Sequence, residues 1–401
     1  MNSPQHMSEN QSLIDLPVPD QEALEHSQRL GHRIRQEIEH HGHISFSRFM
    51  EMSLYEPGMG YYSAGARKFG EAGDFITAPE LSILFTECLA RQCIQILSQF
   101  RHPCILEAGP GSGIMMCDLL TILEKNNSLP EKYYVLESSA DLRGRQKSLV
   151  HEKISHLENR IEWLDHLTGR PFDGLVIGNE ILDALPVNRL VFRDGCFREL
   201  CVNLVNGDFT WIEMPLPETL QKQVALTIGK FTNELPEGYR TELNLRSGSW
   251  IQSISGLLNQ GAVLLIDYGY SRREYYHPQR TDGTLLCHYR HHVHHDPFLY
   301  PGLQDITASV DFTTVAEAGV SAGMQVKGYT TQAHFLVNCD LQEVMEENSL
   351  TPKIDRVELG RQVRILTMPG EMGERFKVIA LTKNFDIPLK GFGNFDQRHH
   401  L

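Results

Sequence analysis

Three glycines and two acids carry the first chemistry legible in this sequence. Cys104-Ile105-Leu106 is an apolar run that ends in Glu107, and Gly109, Gly111 and Gly113 follow at alternate positions. The run predicts a short buried strand, and residues 115–125 predict a helix after it. Glycines between a strand and a helix allow a tight turn and let a ligand approach the backbone closely. A dinucleotide turn would need its third glycine one residue later, where Ile114 stands, so that pattern fails. A second strand-like run, Tyr133-Tyr134-Val135-Leu136, ends in Glu137. In a strand-helix-strand unit such an acid lies beside the glycine turn and accepts hydrogen bonds from ribose hydroxyls. Glycines below and an acid at the ribose define a nucleoside pocket; a ligand-free turn and a solvent-facing acid are the plainer alternatives.

Two further polar positions follow the same logic. Ile161-Glu162-Trp163 predicts a third strand, with Asp165 just beyond it. Residues 172–180 predict a fourth, running from Leu175-Val176-Ile177 into Asn179 and Glu180. Open parallel sheets bind ligands beyond the carboxyl ends of their strands, which is where these side chains fall.

The elements that must position these groups read as an α/β chain. Residues 23–41 have helical apolar spacing and stop at Gly42, and Ser45 or Ser47 caps a short helix over 48–52. Residues 55–80 are rich in glycine, aromatic, hydroxyl and acidic side chains and have no period. A long loop of that kind is usually functional. A helix over 81–97 leads to the sheet, and residues 142–152 predict the helix after its second strand. From 188 to 250 the pattern changes: apolar runs flank Asp194-Gly195, a hairpin signal, and a strand over 209–214 and a helix over 219–231 follow. Residues 262–269 return as the fifth strand, then a helix over 313–318, a strand over 324–329, helices over 331–338, 340–347 and 353–366, and a last strand over 376–382. The tail from Asn384 is expected to fray. The divisions are a disordered start (1–22), a helical cap with a cofactor-covering loop (23–100), a core in two parts (101–187 and 251–383), an inserted lid or substrate domain (188–250) and a tail (384–401).

Composition excludes several classes. The 401 residues carry a formal charge of −14, with an isoelectric point near 5.7, which disfavours a broad nucleic-acid surface. Eight cysteines show neither CxxC pairs nor zinc spacing and suit a reducing compartment. His291 and His295 have the i,i+4 spacing of a helical metal pair, but no HExxH pattern accompanies them, so a polar histidine loop is preferred and no metal is expected. No apolar run reaches transmembrane length, and residues 1–20 read neither as a secretory signal nor as an organellar leader.

The glycine turn with an acid two residues before it resembles motif I of class I S-adenosyl-L-methionine methyltransferases, with Glu107 meeting the cationic methionine end. Gly58-Met59-Gly60-Tyr61-Tyr62, residues 73–80, residues 179–186, Asp267-Tyr268-Gly269, residues 305–308 and residues 369–373 join it in resembling the MidA family of these enzymes, over nearly the whole chain. The resemblance implies a Rossmann-like sheet with helices on both faces, an N-terminal cap and an inserted α+β lid. It implies S-adenosyl-L-methionine as cofactor, S-adenosyl-L-homocysteine as product, and Glu107, Gly109, Gly111, Gly113, Glu137, Thr77, Pro79 and Asp165 as cofactor-binding residues. Glu180, with Asn179, Asp74 and Glu80, becomes the catalytic set, and a structural role for Glu180 stays open beside that. The family includes an arginine methyltransferase linked to respiratory complex I. The expected acceptor is therefore a protein arginine, with a respiratory-chain subunit as candidate partner and a homodimer as one assembly. A bacterial, cytoplasmic location is expected. A chaperone that binds the cofactor without turnover and a methyltransferase for small molecules are the rival readings.

Overall fold

The computed structural model describes residues 16–64, 76–167, 171–349 and 355–401. Its centre is a sheet of seven main strands: β1 (Cys104–Ala108), β2 (Lys132–Leu136), β3 (Ile161–Leu164), β4 (Phe172–Asn179), β5 (Leu258–Tyr270), β6 (Gln325–Thr331) and β7 (Phe376–Lys383). They lie in the order β6-β7-β5-β4-β1-β2-β3. β7 runs antiparallel to both its neighbours, and the other pairs are parallel. Val310–Asp311 adds a short parallel pairing to the end of β5.

The central strands are apolar almost throughout because both faces are covered. Ile105, Leu175, Ile177, Leu264 and Ile266 face one core, and the alternate residues Leu106, Val176, Val263 and Leu265 face the other. Ile83–Leu97 and Ile114–Lys125 cover the first face, while Arg246–Leu257 and Phe312–Ser321 cover the second. From β1 the chain turns out to β2 and β3, then returns across to β4. The crevice at the carboxyl ends of β1 and β4 is therefore the switch point where such sheets bind ligands.

A second sheet joins parts far apart in sequence. Asn188–Arg193, Cys196–Val205, Asp208–Pro215 and Arg240–Leu243 form it, and Ile44–Ser45 from the N-terminal region adds an edge strand. The Asp194-Gly195 hairpin is present, both residues having positive φ, as a two-residue turn needs. The cap and the insertion thus share one hydrogen-bonded sheet and one core, in which Leu30, Ile34, Phe46 and Phe49 meet Val202.

Several expectations change. The helix over 81–97 is two pieces, Ala78–Leu81 and Ile83–Leu97, because Ser82 is extended and caps the second. The histidine-rich stretch is a hairpin, Leu286–Tyr289 against His292–His294, with Asp305–Thr307 on its other side. Arg290 and His291 take positive φ and make its turn, so His291 and His295 never share a helix face. The tail does not fray: Phe385, Leu389 and Phe392 are buried, and Gly391 donates its N–H to Gln92 Oε1 at 2.8 Å. Its apolar side chains fill a groove that composition alone cannot show. Residues 1–15 lie outside the described residues, as do Asp74 and most of the loop before Thr77. Among the described residues no helix is long and apolar enough to cross a membrane.

Candidate active site

The glycine turn has the backbone its residues allow. Gly109, Gly111 and Gly113 have φ of +62°, +56° and +84°, values at which a side chain is strained. A Cβ on Gly109 would also stand 2.8 Å from Ile181 Cγ2. Together with the ends of β1, β2 and β4, the turn lines a cavity of about 420 Å³. That cavity gathers Glu107, Gly109, Gly111, Glu137, Asp165, Thr77, Pro79, Glu80, Asn179 and Glu180. Of the residues singled out in the sequence, Gly113 stands just behind it as the N-cap of Ile114–Lys125, and Asp74 lies outside the described residues.

Glu107 is 1 % exposed. The Tyr133 hydroxyl donates to its Oε2 at 2.7 Å, while Oε1 has no partner. Burial pushes its carboxyl up to about 7, and the Tyr133 bond opposes that. A buried carboxylate oxygen left without a donor beside a glycine turn suits an ammonium group. Glu137 is held differently: its Oε1 accepts from Ser139 N at 2.8 Å and its Oε2 from Gln146 Nε2 at 3.1 Å. A carboxylate has lone pairs beyond these, so acceptance from ribose hydroxyls is still open to it. Gln146 also donates to Gly111 O and accepts from Trp163 Nε1, tying the turn to Glu137. Asp165 sits at the rim, largely exposed and paired to Arg143 at 2.5 Å.

The N-terminal segment closes onto this floor at two points. Ser112 of the turn donates to Glu80 Oε1, and the backbone N–H of Ala78 lies near the Glu180 carboxyl and favours its ionised form. Glu80 therefore brackets the glycine turn instead of standing with the acids at the far end.

That far end is the most strained part of the site. Glu180 follows β4 with φ +53°, a left-handed conformation uncommon outside glycine and costing about 1–2 kcal/mol. Asp267 on β5 holds it there: its Oδ2 accepts the N–H groups of Ile181, Leu182 and Asp183 at 3.2, 2.9 and 3.3 Å. Asn179 Nδ2 donates to Glu180 Oε1 at 3.1 Å. Asp183 and Asp305 complete the wall, and the Tyr62 hydroxyl reaches both oxygens of Asp305 at 3.0 Å. Asp183 is 5 % exposed and its Oδ1 has no partner. The Tyr268 hydroxyl lies beside it without a well-aligned hydrogen bond. Burial, and then the charge of Asp183, push Glu180 up to about 8. Burial pushes Asp183 up to about 6.

Asp183 and Asp305 were not singled out in the sequence as site residues. Both stand in stretches that carried the family resemblance, residues 179–186 and 305–308, and that was the available signal. Tyr62 likewise stands in the glycine-aromatic segment. Among the described residues no group of three or more side chains is arranged to hold a metal ion.

A sheet of this order, with a glycine turn at its switch point and the strand-end acids Glu107 and Glu137 lining one cavity beside it, is the architecture of an S-adenosyl-L-methionine-dependent methyltransferase. The comparisons agree. The model of the S-adenosyl-L-methionine-dependent methyltransferase family matches residues 88–330. A Burkholderia thailandensis protein crystallised with S-adenosyl-homocysteine is 40% identical and superposes with a TM-score of 0.90, over 96% of this chain and all of that one. "Protein arginine methyltransferase NDUFAF7, mitochondrial" of Xenopus tropicalis is 28% identical, over 88% of this chain and 86% of its own length. The Caenorhabditis elegans homologue of that name is 28% identical, over 87% and 86%. The chain belongs to this methyltransferase family, in its MidA branch.

Proposed function

We propose that the methyl acceptor is an arginine of a protein, and that Glu180, Asp183 and Asp305 hold its guanidinium. The carrying observation is the crowding of three carboxylates at the end of the cofactor cavity. Like charges brought together in a buried wall oppose one another's ionisation, and a cation set among them relieves that opposition. A guanidinium supplies charge and several N–H donors in one plane, and Asp183 Oδ1 is a buried acceptor still lacking a donor. The relatives named protein arginine methyltransferases support the same reading.

When bound, S-adenosyl-L-methionine supplies a methyl group already activated on a sulfonium. The protein then has to align the acceptor and exclude water. Glu107 and the glycine turn would hold the methionine end, and Glu137 the ribose. Glu180 and its neighbours would fix one face of the guanidinium and draw its charge toward the bonded nitrogens, leaving another nitrogen richer in electrons. The proton that nitrogen loses on methylation would pass to the Glu180 carboxylate and on to water.

Glu180→Gln tests this, because it keeps size and removes charge. Methylation should fall by about a hundredfold or more, with S-adenosyl-homocysteine affinity retained by calorimetry. Full activity on arginine-containing protein, or a joint fall in affinity and activity, would defeat the role. Respiratory-chain subunits are the first acceptors to test, by mass spectrometry for methylarginine.

A further inference from the structure

The three carboxylates also end a second cavity, of about 630 Å³. Glu180, Asp183 and Asp305 are all that its lining shares with the cofactor cavity. Most of its other walls are the end of β5, the small sheet around His288, the helix Arg356–Thr367 and the start of β7, while Ile76 and Leu81 come from the N-terminal segment that also lines the cofactor cavity through Thr77, Pro79 and Glu80. The two cavities open at different places. The cofactor cavity reaches solvent at the exposed Asp165 and His166, and the second at the exposed Ile76, Arg361 and Arg375. Inside the second cavity Leu81, Ile365 and Phe376 give apolar surface on the way to the carboxylates. Such a passage suits an aliphatic stem ending in a cation, since the stem gains from apolar contact and the charge meets acids at the end. Asp183, nine-tenths buried with an unpartnered Oδ1, belongs to both linings. His288 and Asp305 are direct cross-strand partners on the small sheet, so imidazole and carboxylate line the inner end together. Burial, and then the nearby His294, hold the His288 imidazole neutral by lowering it to about 4, so the cationic residues of the lining are Arg361 and Arg375, both exposed at its mouth.

We propose that this second cavity is the acceptor's own channel: the cationic side chain enters between Ile365 and Arg375 and meets the cofactor side at Glu180, Asp183 and Asp305. The proposal rests on the arginine reading of that site. It adds a consequence. The spent cofactor would leave at Asp165 without passing the acceptor, so exchange of the cofactor would not require release of the protein.

Ile365→Trp should fill the channel, and Leu167→Trp should crowd the cofactor mouth instead. The two are compared by calorimetry with S-adenosyl-homocysteine and by transfer of labelled methyl groups from S-adenosyl-L-methionine to lysate proteins of cells lacking this gene. Ile365→Trp should lose about tenfold or more of the transfer with its affinity for S-adenosyl-homocysteine unchanged. Leu167→Trp should lose that affinity. Arg361→Trp, one turn earlier on the same face and at the mouth of the cavity, replaces Ile365→Trp should the latter not fold. Wild-type transfer by both channel variants, or a matching fall in S-adenosyl-homocysteine affinity, would overturn the proposal. Label on residues other than arginine would refute the arginine reading and leave the channel standing, and no label with the wild type would refute both.

Discussion

Replacing Glu107 by glutamine should weaken cofactor binding in a way that depends on pH. Glu107 Oε2 is engaged by Tyr133 and Oε1 is free. Glutamine keeps an oxygen for Tyr133 and removes the charge that would face the ammonium. A hydrogen bond to a charged group contributes about 1.5–3 kcal/mol, roughly 10- to 150-fold in affinity. That full difference should appear at pH 8, where Glu107, with its carboxyl near 7, is ionised. Below that value the wild type must first shed a proton, at about 1.4 kcal/mol per pH unit. Its affinity should therefore fall about tenfold per unit below pH 7, while the glutamine variant stays flat and the two curves converge. The groups nearest Glu107 do not blur this: burial pushes Tyr133, Cys93 and Cys117 upward, so all three stay neutral across the range. Calorimetry with S-adenosyl-homocysteine in two buffers of different ionisation enthalpy would count close to one proton released by the wild type near pH 6, and none by the variant. Equal affinity at pH 8, or the same proton count in both proteins, would refute the assignment of Glu107 to the ammonium.

Three further outcomes follow from the same geometry. Gly109→Ala places a side chain at φ +62° and against Ile181, so it should cost about 1–2 kcal/mol from the backbone alone and lower S-adenosyl-homocysteine affinity; unchanged melting and binding would refute the close approach. Burial raises Glu107 and Glu180 from 4.5 to about 7 and 8 and Asp183 from 3.8 to about 6. Raised folded values favour the protonated form, so this stability is present below the unfolded values and is lost as pH rises through the folded ones. The unliganded protein should melt progressively lower from about pH 5 to 8, and a flat profile in calorimetric scans would contradict the burial of these acids. Phe392→Ala, in the docked tail, should cost about 3–5 kcal/mol by denaturant titration, because Phe392 is buried beneath Gly328 and packs on Phe335; a loss below about 1 kcal/mol would mean the tail is not part of the core.

What was legible in the sequence was what one stretch of chain settles by itself. The turn at Gly109, Gly111 and Gly113 needs positive φ at three alternate positions, and only its own residues decide that. The strands around Leu106, Ile177 and Leu264 could be read because covered strands are apolar runs wherever they occur. The histidine stretch shows the opposite case. An i,i+4 spacing means one face only if the backbone is helical, and Arg290 and His291 turn it into a hairpin. The tail misled for a related reason: Phe385, Leu389 and Phe392 have no period of their own, and the groove that receives them is built elsewhere.

The acid cluster was half legible, and the missing half explains the site. Asn179, Glu180 and Asp183 stand within five residues of one another, yet nothing local holds Glu180 in its left-handed conformation. The restraint comes from Asp267, more than eighty residues later, whose one oxygen takes three successive N–H groups. Asp305 arrives from a small sheet later still and is anchored by Tyr62 from the N-terminal cap. Each carboxylate is thus positioned by a different part of the chain, and burying them side by side costs energy. Such an arrangement persists only if the rest of the fold over-determines it. The cap, β5 and the small sheet do so together, which is why truncating any one of them should release the wall even where the cofactor floor at Glu107 and Gly109 survives.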